Sequence, residues 1–296
     1  MSDLREKFET DGFVIVDVLS EEEIADFRTV MDGMLSESKK TSDTEVHSSV
    51  LQHLGDEISD FGNEARQYYF HLLTKAGTEP IHHAFYHPKV LTIVEELLGP
   101  KLIVNNASIL AFNPGVTYSL GWHRDIIQIP QPEIEDWLFS KERHHNSVQI
   151  NLPLMEENSL WVVPGSHHRA NTAEEVAAFE GSKHYAPVGN VMPGGVPVKL
   201  NAGQAVLYNN NLIHRGHSTD SELPRRTLHM GYHSASLPPT WHFYLLNGDL
   251  LTEEYLATLD PTMRRMMDEY KACLAEYPRM EDTWTRAAAR EVSNPK

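Results

Sequence analysis

His123 and Asp125 stand two positions apart in Trp122-His123-Arg124-Asp125. In extended backbone, residues i and i+2 project to one side, so this imidazole and carboxylate can converge on one ion while Arg124 points away. A chelating pair needs a third ligand. His214, in Leu212-Ile213-His214, offers it shortly after the strand-like run Ala205–Tyr208. Two histidines and one carboxylate on one face of an octahedron leave three positions for a cosubstrate and oxygen, the arrangement of non-haem Fe(II) oxygenases. Arg225 follows His214 by 11 positions (225 − 214 = 11). Its planar, permanently charged fork suits the far carboxylate of a dicarboxylic cosubstrate. Gln149 and Asn151 share a strand face and can donate hydrogen bonds to the same molecule. Ile127 and Trp137, in the segment leaving Asp125, and His229, on a later strand, are candidates for substrate contact. Arg226 competes with Arg225, because a one-residue slip exchanges their faces.

An isolated H-x-D arises readily by chance among 17 histidines and 42 acids. The ordered series carries more weight: H-x-D, a strand ending in P-G-S-H, a strand ending at a histidine, then an arginine opening the next strand. Two other readings stay open. Three protein ligands plus water also describe catalytic zinc, although Arg225 then has no task. A β-barrel metal-binding or sensing protein without turnover needs only the triad.

The elements that must position these residues fall into three blocks. The first reads helix, strand, helix: Phe13–Val16 follows the turn pair Asp11-Gly12, and Ser20 with Glu23 makes a capping box before a helix with Ile24, Phe27, Val30, Met31 and Met34 on one face. Residues 36–60 are polar and predict a surface loop or lid, and 126–146 predicts a second lid segment. A helical stretch is expected from about Glu64 to Leu98, interrupted near Gly77 and Pro80. Short β-like runs follow at Leu102–Phe112, Ser147–Leu154, Leu160–Val163, Val198–Leu200, Ala205–Tyr208 and Arg226–His233, separated by Gly and Pro turns, which argues for an antiparallel sandwich or barrel. From about Thr252 the chain reads as helix again, with Met263, Met266, Met267, Tyr270 and Leu274 on its apolar face. With no repeat or linker, residues 1–296 are expected to form one domain, a β core at about 102–235 with helical elements at 1–100 and 252–290.

The chain resembles the phytanoyl-CoA dioxygenase family, which includes ectoine hydroxylases. The resemblance runs through Phe8-Glu9-Thr10-Asp11-Gly12-Phe13-Val14-Ile15-Val16, Leu98-Gly99-Pro100, Trp122-His123-Arg124-Asp125, Leu160-Trp161-Val162-Val163-Pro164-Gly165-Ser166-His167, Asn201-Ala202-Gly203-Gln204-Ala205-Val206-Leu207, His214 and Pro224-Arg225. It implies a mainly β fold, a double-stranded β-helix of the jelly-roll or cupin-like kind with flanking helices. It also implies Fe(II), with 2-oxoglutarate and O₂ as cosubstrates. Under it, His123, Asp125 and His214 fall on the ligand positions and Arg225 on the oxoglutarate-binding arginine. The expected reaction is oxidation, most often hydroxylation, of an unactivated C–H bond in a small molecule, releasing succinate and CO₂. There are departures. The turn Met155–Ser159 is short, Asn158-Ser159 stands for a common Asn-Gly, and Asn151 replaces a frequent aromatic, which makes the pocket more polar. Halogenating relatives replace the carboxylate that Asp125 retains, so halogenation is not expected.

The whole-chain balance excludes other classes. A net charge of −17 disfavours a sequence-independent hold on nucleic acid or an anionic membrane. The single cysteine, Cys273, excludes an internal disulfide and a thiolate-rich metal site. The opening MSDLREKFETDGF lacks an apolar h-region and no run reaches membrane-span length, so a cytoplasmic protein is expected.

Overall fold

The turn-punctuated middle of the chain pairs into two facing antiparallel sheets. The computed structural model describes residues 3–38, 66–69, 79–115, 118–125, 146–181, 186–218, 222–237, 239 and 251–278. Its strands, in chain order, are Phe13–Asp17 (β1), Arg66–Tyr69 (β2), Leu102–Phe112 (β3), Tyr118–Ser119 (β4), Ser147–Pro153 (β5), Glu157–Val162 (β6), Val196–Leu200 (β7), Gln204–Asn209 (β8), His214–Ser218 (β9) and Arg225–Ser234 (β10). One sheet runs β1-β8-β5-β10-β3-β2 and the other β4-β9-β6-β7. Successive strands alternate between the sheets over much of the core, as a double-stranded β-helix requires, so the expected jelly-roll class is the fold observed.

Register decides what faces the space between the sheets. Across β10 and β5, Thr227 stands opposite Pro153, His229 opposite Asn151 and Gly231 opposite Gln149. Directly opposed residues share a face, so Arg225, Thr227, His229, Asn151 and Gln149 look the same way, toward the smaller sheet. The alternate set, Leu228, Met230, Tyr232, Leu152, Ile150 and Val148, is fully buried on the outer face in the main apolar core. Part of the inner space is apolar too, filled by Leu160, Val162, Val198, Leu200, Val206 and Leu212.

Helices from both ends of the chain back the large sheet, and one short helix, Ala173–Ala178, packs instead beside Trp122, Val163 and Ile213. They are Asp3–Asp11 (α1), Glu21–Ser38 (α2), Glu79–His82 (α3), Pro88–Leu98 (α4), Ala173–Ala178 (α5), Glu253–Leu256 (α6) and Pro261–Glu276 (α7). α2 starts at the expected capping box: the Ser20 amide donates to Glu23 Oε2 at 2.8 Å and the Glu23 amide to Ser20 Oγ at 3.3 Å. α7 opens on Pro261, with Asp260 accepting from the Thr262 amide at 2.8 Å, and lies against β3. Its stripe of Met263, Met266, Met267, Tyr270 and Cys273 is buried, each large side chain contributing about 1.5–3 kcal/mol by leaving water. Leu274, expected in the stripe, is only partly buried. Between α1 and β1 the chain turns at Gly12, where φ is +81° and an added Cβ would lie 2.5 Å from His167 Nδ1. Glycine is required there both by backbone conformation and by the P-G-S-H loop packed on it.

Several expectations are corrected. Arg66–Tyr69, expected as helix, is a strand paired with Phe112–Ile109 of β3, because aromatic residues favour strands and the partner is distant in sequence. The helix expected through Leu98 breaks at His87, where ψ is 130°: the residue before a proline is steered out of the helical region. The expected turn Met155–Ser159 is shorter still, because Glu157, Asn158 and Ser159 already belong to β6. His214 opens a strand of its own, β9, instead of closing one. Residues 36–38 end α2, and the rest of the two expected lid segments, apart from Asn146, lies outside the described residues, as do Ile127 and Trp137. No helix among the described residues is long and apolar enough to cross a membrane.

Candidate active site

His123 and Asp125 sit where the chain passes from β4 toward β5, and His214 is the first residue of β9. Their backbones are tied together. His123 and His214 exchange both N–H···O bonds at 2.9 Å, an isolated antiparallel bridge, and the Asp125 amide donates to Asn210 O at 2.9 Å. The three side chains are buried and offer ligand atoms that all lie within 4.8 Å of one another. His123 Nε2 is 3.4 Å from Asp125 Oδ1, and His214 Nε2 is 3.5 Å from Oδ2.

Each imidazole is oriented by the same local device. His123 Nδ1 lies 2.9 Å from Gly121 O and His214 Nδ1 2.9 Å from Leu212 O, in both cases the carbonyl two residues back. A carbonyl only accepts, so Nδ1 carries a hydrogen, and in the neutral imidazole Nε2 is left to present its lone pair to the centre. Two such nitrogens and a carboxylate converge, an arrangement that a divalent cation stabilises. The donor set of two imidazoles and one carboxylate fits iron and leaves half of an octahedron to other ligands.

Asp125 is itself held. Gln149 Nε2 donates to Asp125 Oδ2, and the Tyr208 hydroxyl donates to Gln149 Oε1 at 3.3 Å. The side chain expected to reach a cosubstrate thus orients the carboxylate. Asn151 Oδ1 lies 2.7 Å from His229 Nδ1 across the β5–β10 pair. Arg225 is buried on the inner face and Arg226 is on the other, where it meets Asp32 at 2.6 Å and Phe112 O at 3.0 Å. Arg225 Nη2 lies 2.7 Å from Glu157 Oε1, a contact that nothing in the sequence announced.

Two arginines beside the candidate ligands also carry more than the sequence suggested. Arg124 points away from the centre, as extended backbone requires, but into the protein. Its guanidinium donates to the carbonyls of Ser166, Asn211 and Arg169 and to Asn171 Oδ1, at 2.5–3.2 Å. Arg215, after His214, lies over the Trp122 ring at 4.6 Å and the Trp161 ring at 5.3 Å. Burial, and then the charge of Arg215, push the neighbouring His217 below the usual imidazole range. An H-R-D tripeptide followed by a second arginine after the last ligand was the available signal for both.

Known proteins resemble this chain in family and in fold. The phytanoyl-CoA dioxygenase (PhyH) family model matches residues 8–227. No curated protein matches the chain. Among solved structures, HygX from Streptomyces hygroscopicus with nickel and 2-oxoglutarate bound is 17% identical, with a TM-score of 0.56 over 79% of this chain and 88% of that one. EctD from S. alaskensis with 2-oxoglutarate and 5-hydroxyectoine is 18% identical, with a TM-score of 0.54 over 80% of this chain and 77% of that one. The non-haem alpha-ketoglutarate-dependent epimerase SnoN from nogalamycin biosynthesis is 19% identical, with a TM-score of 0.53 over 78% of this chain and 80% of that one. At such identities the structures establish the fold. With the family match running from α1 into β10 and taking in every residue of the buried cluster, the chain belongs to the phytanoyl-CoA dioxygenase family, a family of iron- and 2-oxoglutarate-dependent oxygenases.

Proposed function

We propose that this protein oxidises an unactivated C–H bond of a small-molecule substrate by hydroxylation, with one oxygen atom of O₂ entering the product and the other entering succinate as 2-oxoglutarate loses CO₂. The observation that carries the reading is the pair of imidazoles whose Nδ1–H groups are fixed on carbonyls while both Nε2 atoms face Asp125. His123, Asp125 and His214 would hold Fe(II), and Gln149, backed by Tyr208, keeps the Asp125 carboxylate turned toward it. Bound iron supplies the activation of O₂ that no protein side chain can provide. Arg225 would anchor the far carboxylate of 2-oxoglutarate, with Asn151 on the same inner face. His229, partnered with Asn151, together with Ile127 and Trp137, is assigned to the substrate side. All of residues 1–296 are taken as one catalytic domain.

Hydroxylation is preferred because EctD was solved with 5-hydroxyectoine. Epimerisation is the second outcome at the same bond, since SnoN is an epimerase. The test is to measure succinate release and Mn(II) binding by His123→Ala, Asp125→Ala and His214→Ala, with circular dichroism as the check on folding. Each variant is expected to stay folded, to lose metal affinity and to form no succinate. Near-normal turnover by any one of them rejects that residue as a ligand, and wild-type protein that binds metal yet never forms succinate is a binding module.

A further inference from the structure

The arginine assigned to 2-oxoglutarate already holds a carboxylate of the protein. Arg225 Nη2 and Glu157 Oε1 are 2.7 Å apart, and only 4% and 5% of the two side chains is exposed. The Thr227 hydroxyl donates to Glu157 Oε2, and Arg225 Nε–H donates to Thr227 Oγ1 at 3.3 Å. Guanidinium, carboxylate and hydroxyl therefore close a ring of three contacts. The ring joins the sheets, because Arg225 and Thr227 belong to β10 and Glu157 to β6, at the point where the β6–β7 register slips between Glu157 and Leu160. That irregularity lies at the start of the strand and brings the Glu157 side chain inward.

We infer that Glu157 is a specificity-determining residue: a resident carboxylate that takes the place of the cosubstrate's far carboxylate on Arg225 and must give way when 2-oxoglutarate binds. The inference rests on the assignment of Arg225 as the anchor. The Nη2–Nε edge of Arg225 is taken, Nη2 by Glu157 and Nε by Thr227, so a carboxylate that grips this edge at two points must displace Glu157. The Thr227 hydroxyl has a single hydrogen to donate, and Glu157 takes it. A second carboxylate beside Glu157 would meet like charge in a site with little water to screen it. A cleft bordered by Phe112, Glu157, Ser159, Leu223 and Arg225 opens on the pair, so the displaced side chain has a route to solvent. Glu157 thus sets how much a 2-oxo acid gains from carrying a second carboxylate, and it keeps the buried guanidinium partnered between turnovers.

The test is calorimetric titration of Mn(II)-loaded protein without oxygen, using 2-oxoglutarate and 2-oxopentanoate, which shares the 2-oxo acid end and lacks the far carboxylate. In the unaltered protein the second carboxylate is expected to improve affinity by less than about tenfold, where an unpaired guanidinium would give about a hundredfold. Glu157→Gln keeps the shape and removes the charge, and is expected to bind 2-oxoglutarate about tenfold or more tightly while 2-oxopentanoate changes by less than about twofold. A hundredfold preference in the unaltered protein overturns the inference without any variant. So does Glu157→Gln that binds 2-oxoglutarate no better than before. Arg225→Gln separates the two levels: if it leaves 2-oxoglutarate affinity intact, the anchor assignment itself is wrong. If it weakens binding while Glu157→Gln gives no gain, the anchor stands and only the role of Glu157 fails.

Discussion

Arg124→Lys keeps the charge between the two candidate ligands of the H-x-D segment and removes the fork. Arg124 is 4% exposed and among the described residues makes five hydrogen bonds to four acceptors: Nη1 to Ser166 O and Asn211 O, Nη2 to Arg169 O and Asn171 Oδ1, and Nε to Asn171 Oδ1. A lysine ammonium donates three hydrogens from a single point, so at least two of the five are lost (5 − 3 = 2). At about 1.5–3 kcal/mol for each hydrogen bond to a charged group, the variant should be about 3–6 kcal/mol less stable. Because the lost contacts tie the turn bearing His123 and Asp125 to the segment leading to His214, metal affinity should fall as well, by about 10–100-fold, as when an outer partner of a ligand is removed. Urea unfolding of the metal-free protein gives the first number and Mn(II) titration of the folded protein the second. A stability loss below about 1 kcal/mol with unchanged Mn(II) affinity would refute the clamp. Lost stability with unchanged affinity would show instead that the His123–His214 backbone bridge alone holds the ligands.

Arg226→Lys should cost at most about 1 kcal/mol, since its Asp32 partner is half exposed, and should leave 2-oxoglutarate binding as it was; a marked loss of cosubstrate affinity in calorimetry would place the wrong arginine inside. Burial, reinforced by Glu276 and Glu269, pushes the Cys273 thiol up to about 12, so a thiol reagent at pH 8 should label it only in denaturant, and rapid labelling of native protein would contradict the packing of α7. Burial alone would raise the Glu175 carboxyl, but the Arg169 guanidinium and the Thr172 amide together hold it below its ordinary 4.5. A depressed folded value means stability that is present above about 4.5 and lost as the pH falls through the folded value. Glu175→Gln should therefore be less stable than the unaltered protein in urea at pH 7, with the gap narrowing below pH 4.5; a gap that does not change with pH would remove the charge from the explanation.

The triad was legible because the information is local. His123 and Asp125 need only extended backbone to converge, and the strand-like run before His214 marks the approach to the third residue. The β core was legible for a similar reason, since Gly and Pro turns cut the chain into strand-length pieces. What failed was non-local. Arg66–Tyr69 reads as helix until β3 is there to pair with it, and Glu157 reads as a turn residue until the β6–β7 irregularity points it at Arg225, 68 positions away. The direction of Arg124 was foreseen, but its acceptors lie on two loops 42 to 87 positions distant. No periodicity reports such distances.

The reciprocal bridge between His123 and His214 makes the assembly of the site a late event in folding. It closes a span of 91 positions (214 − 123 = 91) with one pair of hydrogen bonds, and the entropy of bringing such distant residues together must be met before the contact returns anything. The two imidazoles cannot be neighbours until β9 has docked on β6 and the H-x-D turn has been laid across it. A nascent or partly folded chain therefore offers a metal ion at most the local His123–Asp125 pair, and tight metal uptake should coincide with barrel closure rather than precede it. In refolding from urea, the appearance of high-affinity Mn(II) binding would then serve as a clock for the closure of the β-helix, lagging behind the burial of the α7 methionines.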